Sequence, residues 1–275
     1  MSIVRRSLVF SVVLLAGTGL LTAQEATGVK QAALSLDEME AFLLKAPVTH
    51  SRDAGKGVTG STRVTLSDGR FTHDAQVQSI DQYKSIFRAG KASEVDFRDT
   101  YRYNIAGYRL ARLIGLTRVP MSVERDIDGK KSAVTWWIDN VMMDEDGRSK
   151  KKTVGPNALR FAQQIQIMKI WDELIQNKDR NRGNMIWTSD WGLWLIDHTR
   201  AFRLEKKLQK PEDLTLCERG LLEGLRKLTP DSLADAVGDS LTRAEQEAVV
   251  ARRDLLVKHY EGRIAKLGEG ILFTF

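Results

Sequence analysis

The chain has 275 residues, enough to bury a substantial core in one large domain or in two smaller lobes. Its 42% hydrophobic and 28% charged residues are typical of a soluble protein, and its formal charge of +6 is modest. A single cysteine, Cys217, excludes an internal disulfide and a cysteine-based zinc site. The basic residues are not interleaved with aromatic residues in a recognisable module, so no nucleic acid is expected as a partner.

Residues 1–23 have the layout of a secretory signal peptide. Arg5 and Arg6 precede an apolar run, and Thr22 and Ala23 follow it. The run is shorter than the about 20 residues that a membrane-spanning helix needs. Cleavage would give an exported protein, periplasmic or secreted, and would remove two of the positive charges. An uncleaved N-terminal membrane anchor is the alternative, because Leu21 stands where a small residue is preferred. No later segment is apolar for long enough to span a membrane.

Residues 24–143 are predicted to form a β-rich lobe. A capping box at Ser35 and Glu38 begins a short helix that ends before Pro47. Turn signals between β-like segments predict two hairpins, which pair residues 61–66 with 71–80 and residues 121–127 with 132–138. Helical spacing of apolar residues between these hairpins predicts a helix over residues 100–114. We therefore expect a mostly antiparallel sheet with one inserted helix.

Residues 144–275 are predicted to form a helical lobe. The lobe boundary is placed where charged and small residues become frequent, and the basic run 148–152 is interpreted as a solvated linker. Contact of this run with an acidic substrate or a membrane surface is the alternative. Apolar residues over 159–175 predict a helix with a wide apolar face. Further helix starts lie at Thr229 and Thr242.

The most informative stretch is residues 177–202. Two short apolar segments, 185–188 and 193–196, flank four residues that include Asp190 and Gly192, which predicts a β-hairpin. A hairpin brings its two ends together. Asp179 and Asn184 before it are therefore expected to lie close to Asp197 after it.

This spacing is typical of phosphoryl transfer. Protein kinases place a catalytic-loop Asp five positions before a metal-binding Asn, and a second metal-binding Asp follows a short hairpin. Asp179 and Asn184 have that spacing, and Asp197 follows the hairpin. The alternatives are that Asp179 caps a turn and that Asp197 pairs with Arg200 or Arg182. His198 is interpreted as a residue that hydrogen-bonds to the backbone and does not act as a base.

The chain resembles the atypical branch of the kinase-like superfamily, which includes phosphatidylinositol kinases, HipA-type toxin kinases and secretory-pathway kinases related to Golgi casein kinase. The matching segments are residues 177–184, 195–202 and 103–116, followed by Val119 and Pro120. The resemblance implies a two-lobed α+β kinase-like fold that binds ATP with Mg²⁺ or Mn²⁺. It implies that Asp179 orients or deprotonates the acceptor hydroxyl, and that Asn184 and Asp197 bind the metal.

The resemblance also implies a nucleotide-binding face on the first lobe. Gly55, Gly57 and Gly60 would let backbone amides approach the phosphates, although a flexible surface turn explains them equally well. The segment after Trp137 would form the adenine-binding hinge. The six tryptophans are otherwise interpreted as core and lobe-contact residues, listed here in order: Trp136, Trp137, Trp171, Trp187, Trp191 and Trp194.

The sequence departs from the family pattern at two positions. Gln78 stands where the nucleotide-binding Lys is expected, and Asn104 stands where its Glu partner is expected. Two amides can hydrogen-bond to each other, whereas the loss of one charged partner would leave a buried charge unpaired. The double change removes a positive charge from the phosphates. Residues that could replace this charge are Lys84, Arg88 and Arg102.

Three functions follow from these residues. The first is an exported, metal-dependent phosphotransferase that moves the γ-phosphate of ATP to a hydroxyl of an unidentified protein, lipid or small-molecule acceptor. The second, supported by Gln78 and Asn104, is a catalytically silent kinase-like module that binds a nucleotide or another partner. The third is a metal-dependent hydrolase that uses the same carboxylates.

Overall fold

The computed structural model describes residues 34–53, 61–90 and 92–275. Residues 34–275 form one compact unit. The predicted signal peptide and the three glycines Gly55, Gly57 and Gly60 lie outside the described residues. No helix in the described part of the chain is long and apolar enough to cross a membrane.

The first part of this unit is rich in β-strands. Its helices and strands, in chain order, are α1 (Leu36–Lys45), β1 (Val48–Asp53), β2 (Thr62–Ser67), β3 (Thr72–Gln78), β4 (Asp81–Ala89), β5 (Ala92–Thr100), α2 (Arg102–Leu113), β6 (Ser122–Ile127) and β7 (Lys130–Trp136). Among the described residues, five of these strands form an antiparallel sheet in the order β1-β2-β3-β7-β6. Both predicted hairpins are therefore confirmed. The turn between β6 and β7 contains Asp128 and Gly129, whose φ angles of 51° and 76° suit a type I′ turn.

A third hairpin, β4–β5, forms a separate two-stranded sheet that the sequence did not predict. Most described side chains of β4 are exposed, so the strand lacks the alternation of apolar and polar residues that marks a half-buried strand. The hairpin matters for the site because β5 leads directly into α2. The backbone nitrogen of Thr100, at the end of β5, donates to the carbonyl oxygen of Thr199 at 3.0 Å.

Two helices pack against this part of the chain. The capping box of Ser35 and Glu38 is present, and α1 buries Phe42 and Leu43 against the five-stranded sheet. The predicted inserted helix is α2, and Gly115 with φ 79° follows its end. Helix α2 contacts β6 and β7, and it also contacts the helix Pro230–Val237 of the helical part. Its buried face therefore lies between the sheet and the helices.

The second part is mostly helical. Its helices and strands are β8 (Val141–Asp144), α3 (Glu145–Lys150), α4 (Ala158–Ile175), β9 (Met185–Thr188), β10 (Leu193–Leu195), β11 (Cys217–Glu218), α5 (Arg219–Lys227), α6 (Pro230–Val237), α7 (Arg243–Leu267) and β12 (Leu272–Phe273). Both α6 and α7 begin with capping boxes at the predicted positions, Thr229 and Thr242. Helices α4 and α7 supply much of a core that also contains β9 and β10.

The predicted linker around residues 148–152 is in part a helix. Arg148 lies in α3, where it binds Glu145 at 2.6 Å and the carbonyl oxygen of Thr153 at 2.8 Å. A short helix with an Asp N-cap is hard to recognise from sequence when its other residues are charged. Strand β8 pairs with β9. The chain therefore leaves the five-stranded sheet after β7 and enters the three-stranded sheet β10-β9-β8 at β8. The lobe boundary at residue 144 stays a prediction.

Candidate active site

The loop after α4 carries Asp179 and is held by its own polar side chains. α4 ends at Ile175, and its C-cap residue Gln176 has a left-handed backbone with φ 49°. Asn177 Oδ1 accepts a hydrogen bond from the backbone nitrogen of Asp179 at 3.0 Å. Asn184 Nδ2 donates to the carbonyl oxygen of Asp179 at 3.3 Å. These local bonds fix the backbone of Asp179, while 42% of its side chain is exposed.

The hairpin predicted after this loop is confirmed. Strands β9 and β10 are antiparallel, with Trp187 opposite Leu193. Beyond this register, the backbone nitrogen of Ile196 donates to the carbonyl oxygen of Asn184 at 3.1 Å. The hairpin therefore returns the chain, and with it Asp197, to the end at which Asn184 enters.

Arg180 ties this loop to α4 and to both ends of the hairpin. Its guanidinium binds Asp172 of α4 at 3.0 Å. It also donates to the carbonyl oxygens of Asn184 at 3.0 Å and of Ile196 at 2.8 Å. Only a planar group with several donors can make these contacts together. Arg180 was not among the predicted site residues, although its position directly after Asp179 was an available signal.

Asp197 has a left-handed backbone, with φ 55°. Such a conformation is unfavourable for a non-glycine residue and is often found at functional sites. Thr199 Oγ1 donates to Asp197 Oδ1 at 3.1 Å. Burial raises the pKa of Asp197, Thr199 opposes this, and the charges of Asp99 and Asp179 raise the pKa further. Asp197 is thus a desolvated carboxylate near two others.

The two arginines considered as partners of Asp197 contact other residues. Arg200 Nη1 lies 3.7 Å from Asp179 Oδ2, and Arg200 Nη2 donates to Glu94 at 2.8 Å. Arg182 donates to Ser149 Oγ at 3.2 Å.

A cavity of about 690 Å³ lies where the loop and the hairpin meet the five-stranded sheet. Its wall includes Asp179, Asn184 and Asp197 from the second part of the chain, and Gln78 and Trp137 from the first. The charged residues on the described part of the wall are Asp99, Asp144, Asp179, Asp197 and Arg200. The cavity is therefore strongly acidic.

Neither the known family models nor the curated protein sequences contain a match to this chain. Solved structures do match. The hydra Fam20 structure, determined with a sugar, is 15% identical over 86% of this chain and 92% of that chain, with a TM-score of 0.63. The Golgi casein kinase with Mn and ADP bound is 15% identical over 86% of this chain and 78% of that chain, with a TM-score of 0.61. The proinflammatory kinase CtkA of Helicobacter pylori is 10% identical over 82% of this chain and 97% of that chain, with a TM-score of 0.52.

The chain has an atypical kinase-like fold. The resemblance found in the sequence is thus confirmed for the fold, and the cavity lies between the β-rich and the helical parts of that fold. Trp136 and Trp137 lie on the cavity wall near the predicted hinge, while Trp171 and Trp187 are buried in the core.

In this kinase-like fold, Gln78 and Asn104 form the neutral pair that the sequence suggested. Asn104 Nδ2 donates to Gln78 Oε1 at 2.8 Å, and both side chains are buried. Asn104 Oδ1 accepts a hydrogen bond from the backbone nitrogen of His198 at 2.8 Å. Asn104 therefore links β3 to the segment that begins with Asp197.

His198 is a structural residue in the described fold. Its Nε2 accepts a hydrogen bond from the indole nitrogen of Trp171 at 3.0 Å. Burial, followed by the nearby charge of Arg180, lowers the pKa of His198 well below its usual value. The imidazole is therefore neutral at physiological pH and buried. Among the described residues its ring contacts the side chains of Trp171 and Arg180, so the predicted hydrogen bond to the backbone is replaced by bonds to side chains.

The structure places none of the three suggested replacement cations on the described cavity wall. Lys84 lies over the ring of Phe87, 4.9 Å from its centroid, Arg88 is exposed, and Arg102 lies 3.9 Å from Asp81. The cation on the wall is Arg200, from the segment after Asp197. The three predicted cations all belong to the β-rich part of the chain, whereas Arg200 belongs to the helical part.

No group of three or more Asp, Glu, His or Cys side chains in the described ranges is arranged to hold a metal ion by itself. The predicted ligands are instead one amide and one carboxylate, Asn184 and Asp197. Because Nδ2 of Asn184 donates to the loop, its Oδ1 is the atom that can bind a cation.

Proposed function

We propose that this protein is a metal-dependent phosphotransferase of the atypical kinase type, which moves the γ-phosphate of ATP to a hydroxyl acceptor. The observation that carries this proposal is the convergence of Asp179, Asn184 and Asp197 on one cavity at the junction of the two parts of a kinase-like fold. The Golgi casein kinase, which has the same fold, binds Mn and ADP.

The donor set of the cavity fits a divalent cation. Asn184 Oδ1 and the carboxylate of Asp197 are the hard oxygen ligands that Mg²⁺ and Mn²⁺ prefer. Because the described wall is acidic, a nucleotide phosphate chain would be repelled without a cation. When bound, the metal neutralises the charge of the phosphates. Two protein ligands are few, but Mg²⁺ is commonly held by one or two carboxylates together with phosphate oxygens and water.

The chain's own residues then have separate roles. Asp179 accepts a hydrogen bond from the acceptor hydroxyl and orients it toward the phosphate. Arg200, 3.7 Å from Asp179 and on the cavity wall, supplies positive charge that the sheet lacks at Gln78. The bonds from Asn177, Arg180 and Asn184 hold the loop rigid, so little reorganisation is needed when the acceptor binds.

The first experiment tests whether the cavity binds a nucleotide together with a metal ion. ATP or ADP binding to the purified protein is measured by calorimetry with Mg²⁺, with Mn²⁺ and with EDTA. We expect metal-dependent binding that Asp197→Ala abolishes and that Asp231→Ala, a control in α6, leaves unchanged. Absence of nucleotide binding with either metal would refute the proposal.

Turnover tests the role of Asp179. Metal-dependent release or transfer of the γ-phosphate is followed with radiolabelled ATP. Asp179→Asn is expected to keep nucleotide binding and to lose transfer by about 10²-fold or more, because general base catalysis contributes about that much. Transfer at the wild-type rate would remove Asp179 from this role.

The second candidate is a catalytically silent module that binds a nucleotide. The buried pair of Gln78 and Asn104 favours it, because this pair replaces the cation and the carboxylate of active kinases of this type. Nucleotide binding without transfer to any hydroxyl, in wild type and in Asp179→Asn alike, would support this candidate over the first.

The cell compartment and the lobe division remain proposals. We propose that residues 1–23 are a signal peptide, that the mature protein is exported, and that residues 24–143 and 144–275 are the two lobes. Mass spectrometry of the protein from the culture medium and from cell fractions would locate the N-terminus. An intact residue 1 in a membrane fraction would instead indicate an uncleaved anchor.

A further inference from the structure

Asp99 is a carboxylate on the cavity wall that was not among the predicted site residues. It is the penultimate residue of β5. The following residue, Thr100, donates its backbone nitrogen to the carbonyl oxygen of Thr199 at 3.0 Å. This bond joins the end of β5 to the segment that carries Asp197, and both Asp99 and Asp197 line the cavity. The two carboxylates are close enough that the charge of Asp99 raises the pKa of Asp197.

The Asp99 side chain is buried without full hydrogen bonding. The residue is 6% exposed, and its Oδ1 has no hydrogen-bond partner among the described residues. A buried, unpartnered carboxylate oxygen is costly, and native structures usually satisfy such atoms. An unsatisfied acceptor on the wall of a cavity therefore indicates a ligand that supplies a positive charge or a donor.

The surrounding protein groups do not supply that charge fully. The Thr199 hydroxyl interacts with both Asp99 and Asp197, but it has a single hydrogen, which can serve only one carboxylate at a time. The guanidiniums whose charges act on Asp99 belong to Arg200 and Arg203. Both bind Glu94, and Arg200 also lies 3.7 Å from Asp179, so neither of them forms an ion pair with Asp99 within 4.0 Å.

Asp99 lines the same cavity as Gln78. The partner of Gln78 is the neutral Asn104, on the first turn of α2, which is also bonded to the backbone of His198. The buried pair therefore brings no charge to the cavity, whereas β5 brings the carboxylate of Asp99.

We propose that Asp99 is a further cation-binding residue, which binds the divalent metal of the nucleotide complex together with Asp197. This inference rests on the proposed function. The ion would be held by the carboxylate oxygens of Asp99 and Asp197, by Asn184 Oδ1, and by phosphate oxygens and water. No group of three or more acidic, imidazole or thiol side chains in the described residues can hold a metal ion. Phosphate oxygens and water are therefore needed to complete the coordination of the ion.

The test is binding of Mn²⁺ to the purified full-length protein in the presence of ADP, followed by electron paramagnetic resonance of free Mn²⁺. The variant is Asp99→Asn, which keeps the shape and removes the charge. Its matched control is Asp81→Asn, on the neighbouring strand, whose side chain is 54% exposed and which does not line the cavity. We expect Asp99→Asn to weaken Mn²⁺ binding at least 10-fold and Asp81→Asn to change it less than 2-fold.

Thermal melting separates a ligand-binding role from a structural role. In EDTA, Asp99→Asn should melt at the same temperature as wild type or higher, because it removes an uncompensated buried charge. The rise in Tm that Mn²⁺ and ADP give to wild type should be lost or strongly reduced. A lower Tm in EDTA would mean that the carboxylate stabilises the fold itself and would overturn the inference.

The two levels of the proposal fail differently. If wild type binds Mn²⁺–ADP and Asp197→Ala does not, but Asp99→Asn binds like wild type, the assignment of Asp99 is wrong and the proposed function stands. If wild type binds no Mn²⁺–ADP, the proposed function itself is refuted, and the assignment of Asp99 is refuted with it.

Discussion

Asn104 and Gln78 are joined by a buried hydrogen bond of 2.8 Å across the interface between α2 and β3. The second amide atom of Asn104 is also used, since Oδ1 accepts from the backbone nitrogen of His198. One neutral side chain thus connects the sheet, the inserted helix and the segment that carries Asp197. If one of these two amides were replaced by a charged residue, the other would need the opposite charge, because a single buried charge without a partner is destabilising.

A double-mutant cycle on this pair should show strong coupling. Asn104→Glu alone is expected to lower the free energy of unfolding by about 3 kcal/mol, because it buries a carboxylate beside a neutral amide. Adding Gln78→Lys should restore an ion pair, so the coupling energy should be about 2 kcal/mol or more. Urea unfolding of the four proteins measures this. Additive effects would show that the two positions are energetically independent.

Arg180 should be essential for the stability of the loop. Arg180→Lys keeps the charge but cannot bind Asp172 and the two carbonyl oxygens together, so we expect a loss of about 3 kcal/mol of unfolding free energy. The control is Arg182→Lys in the same loop. Arg182 is exposed and bonds only Ser149 among the described residues, so its change should stay within about 0.5 kcal/mol. Equal effects of the two substitutions would contradict this role of Arg180.

Gly224 should not tolerate a side chain. A Cβ at this position of α5 would lie 2.2 Å from the carbonyl oxygen of Ile114, at the end of α2. Gly224→Ala is therefore expected to destabilise the protein by about 1–3 kcal/mol through overpacking. Gly262→Ala is the matched control, because Gly262 lies inside α7 with no atom within 4 Å of the added Cβ. It should stabilise the protein by about 0.5–1 kcal/mol. Thermal or urea unfolding distinguishes the two signs.

Cys217 should be unreactive in the native state. Burial raises the pKa of its thiol to about 12 from the usual 9.0. The thiolate is the reactive form, so the native thiol should react with DTNB at pH 8 far more slowly than an exposed cysteine. Full reaction is expected only in denaturant. Because the pKa is raised on folding, the contribution of this group to stability is present below pH 9 and is lost as the pH rises toward 12. Fast labelling without denaturant would contradict the buried position.

Much of the local structure could be predicted because its signals are local. The capping boxes of α1 and α7, the turn at Asp128 and Gly129, and the β9–β10 hairpin each depend on residues a few positions apart. The hairpin β4–β5 was missed because the described side chains of β4 are mostly exposed and carry no clear apolar alternation. The interpretation of residues 148–152 as a linker missed α3 because a short, charged helix has little periodic signal.

The sequence by itself determined the loop and hairpin of residues 177–202. It also determined that Asp179, Asn184 and Asp197 lie close together, because antiparallel pairing of the hairpin brings its two ends together. Only the tertiary structure decided which distant residues join them. Gln78 and Asn104 are 26 positions apart, and Asn104 and His198 are 94 apart. The unpartnered oxygen of Asp99 and the position of Arg200 on the cavity wall likewise depend on how β5 and α2 pack against the segment after Asp197. Such long-range contacts come from burial and packing of the whole fold, which no local spacing specifies.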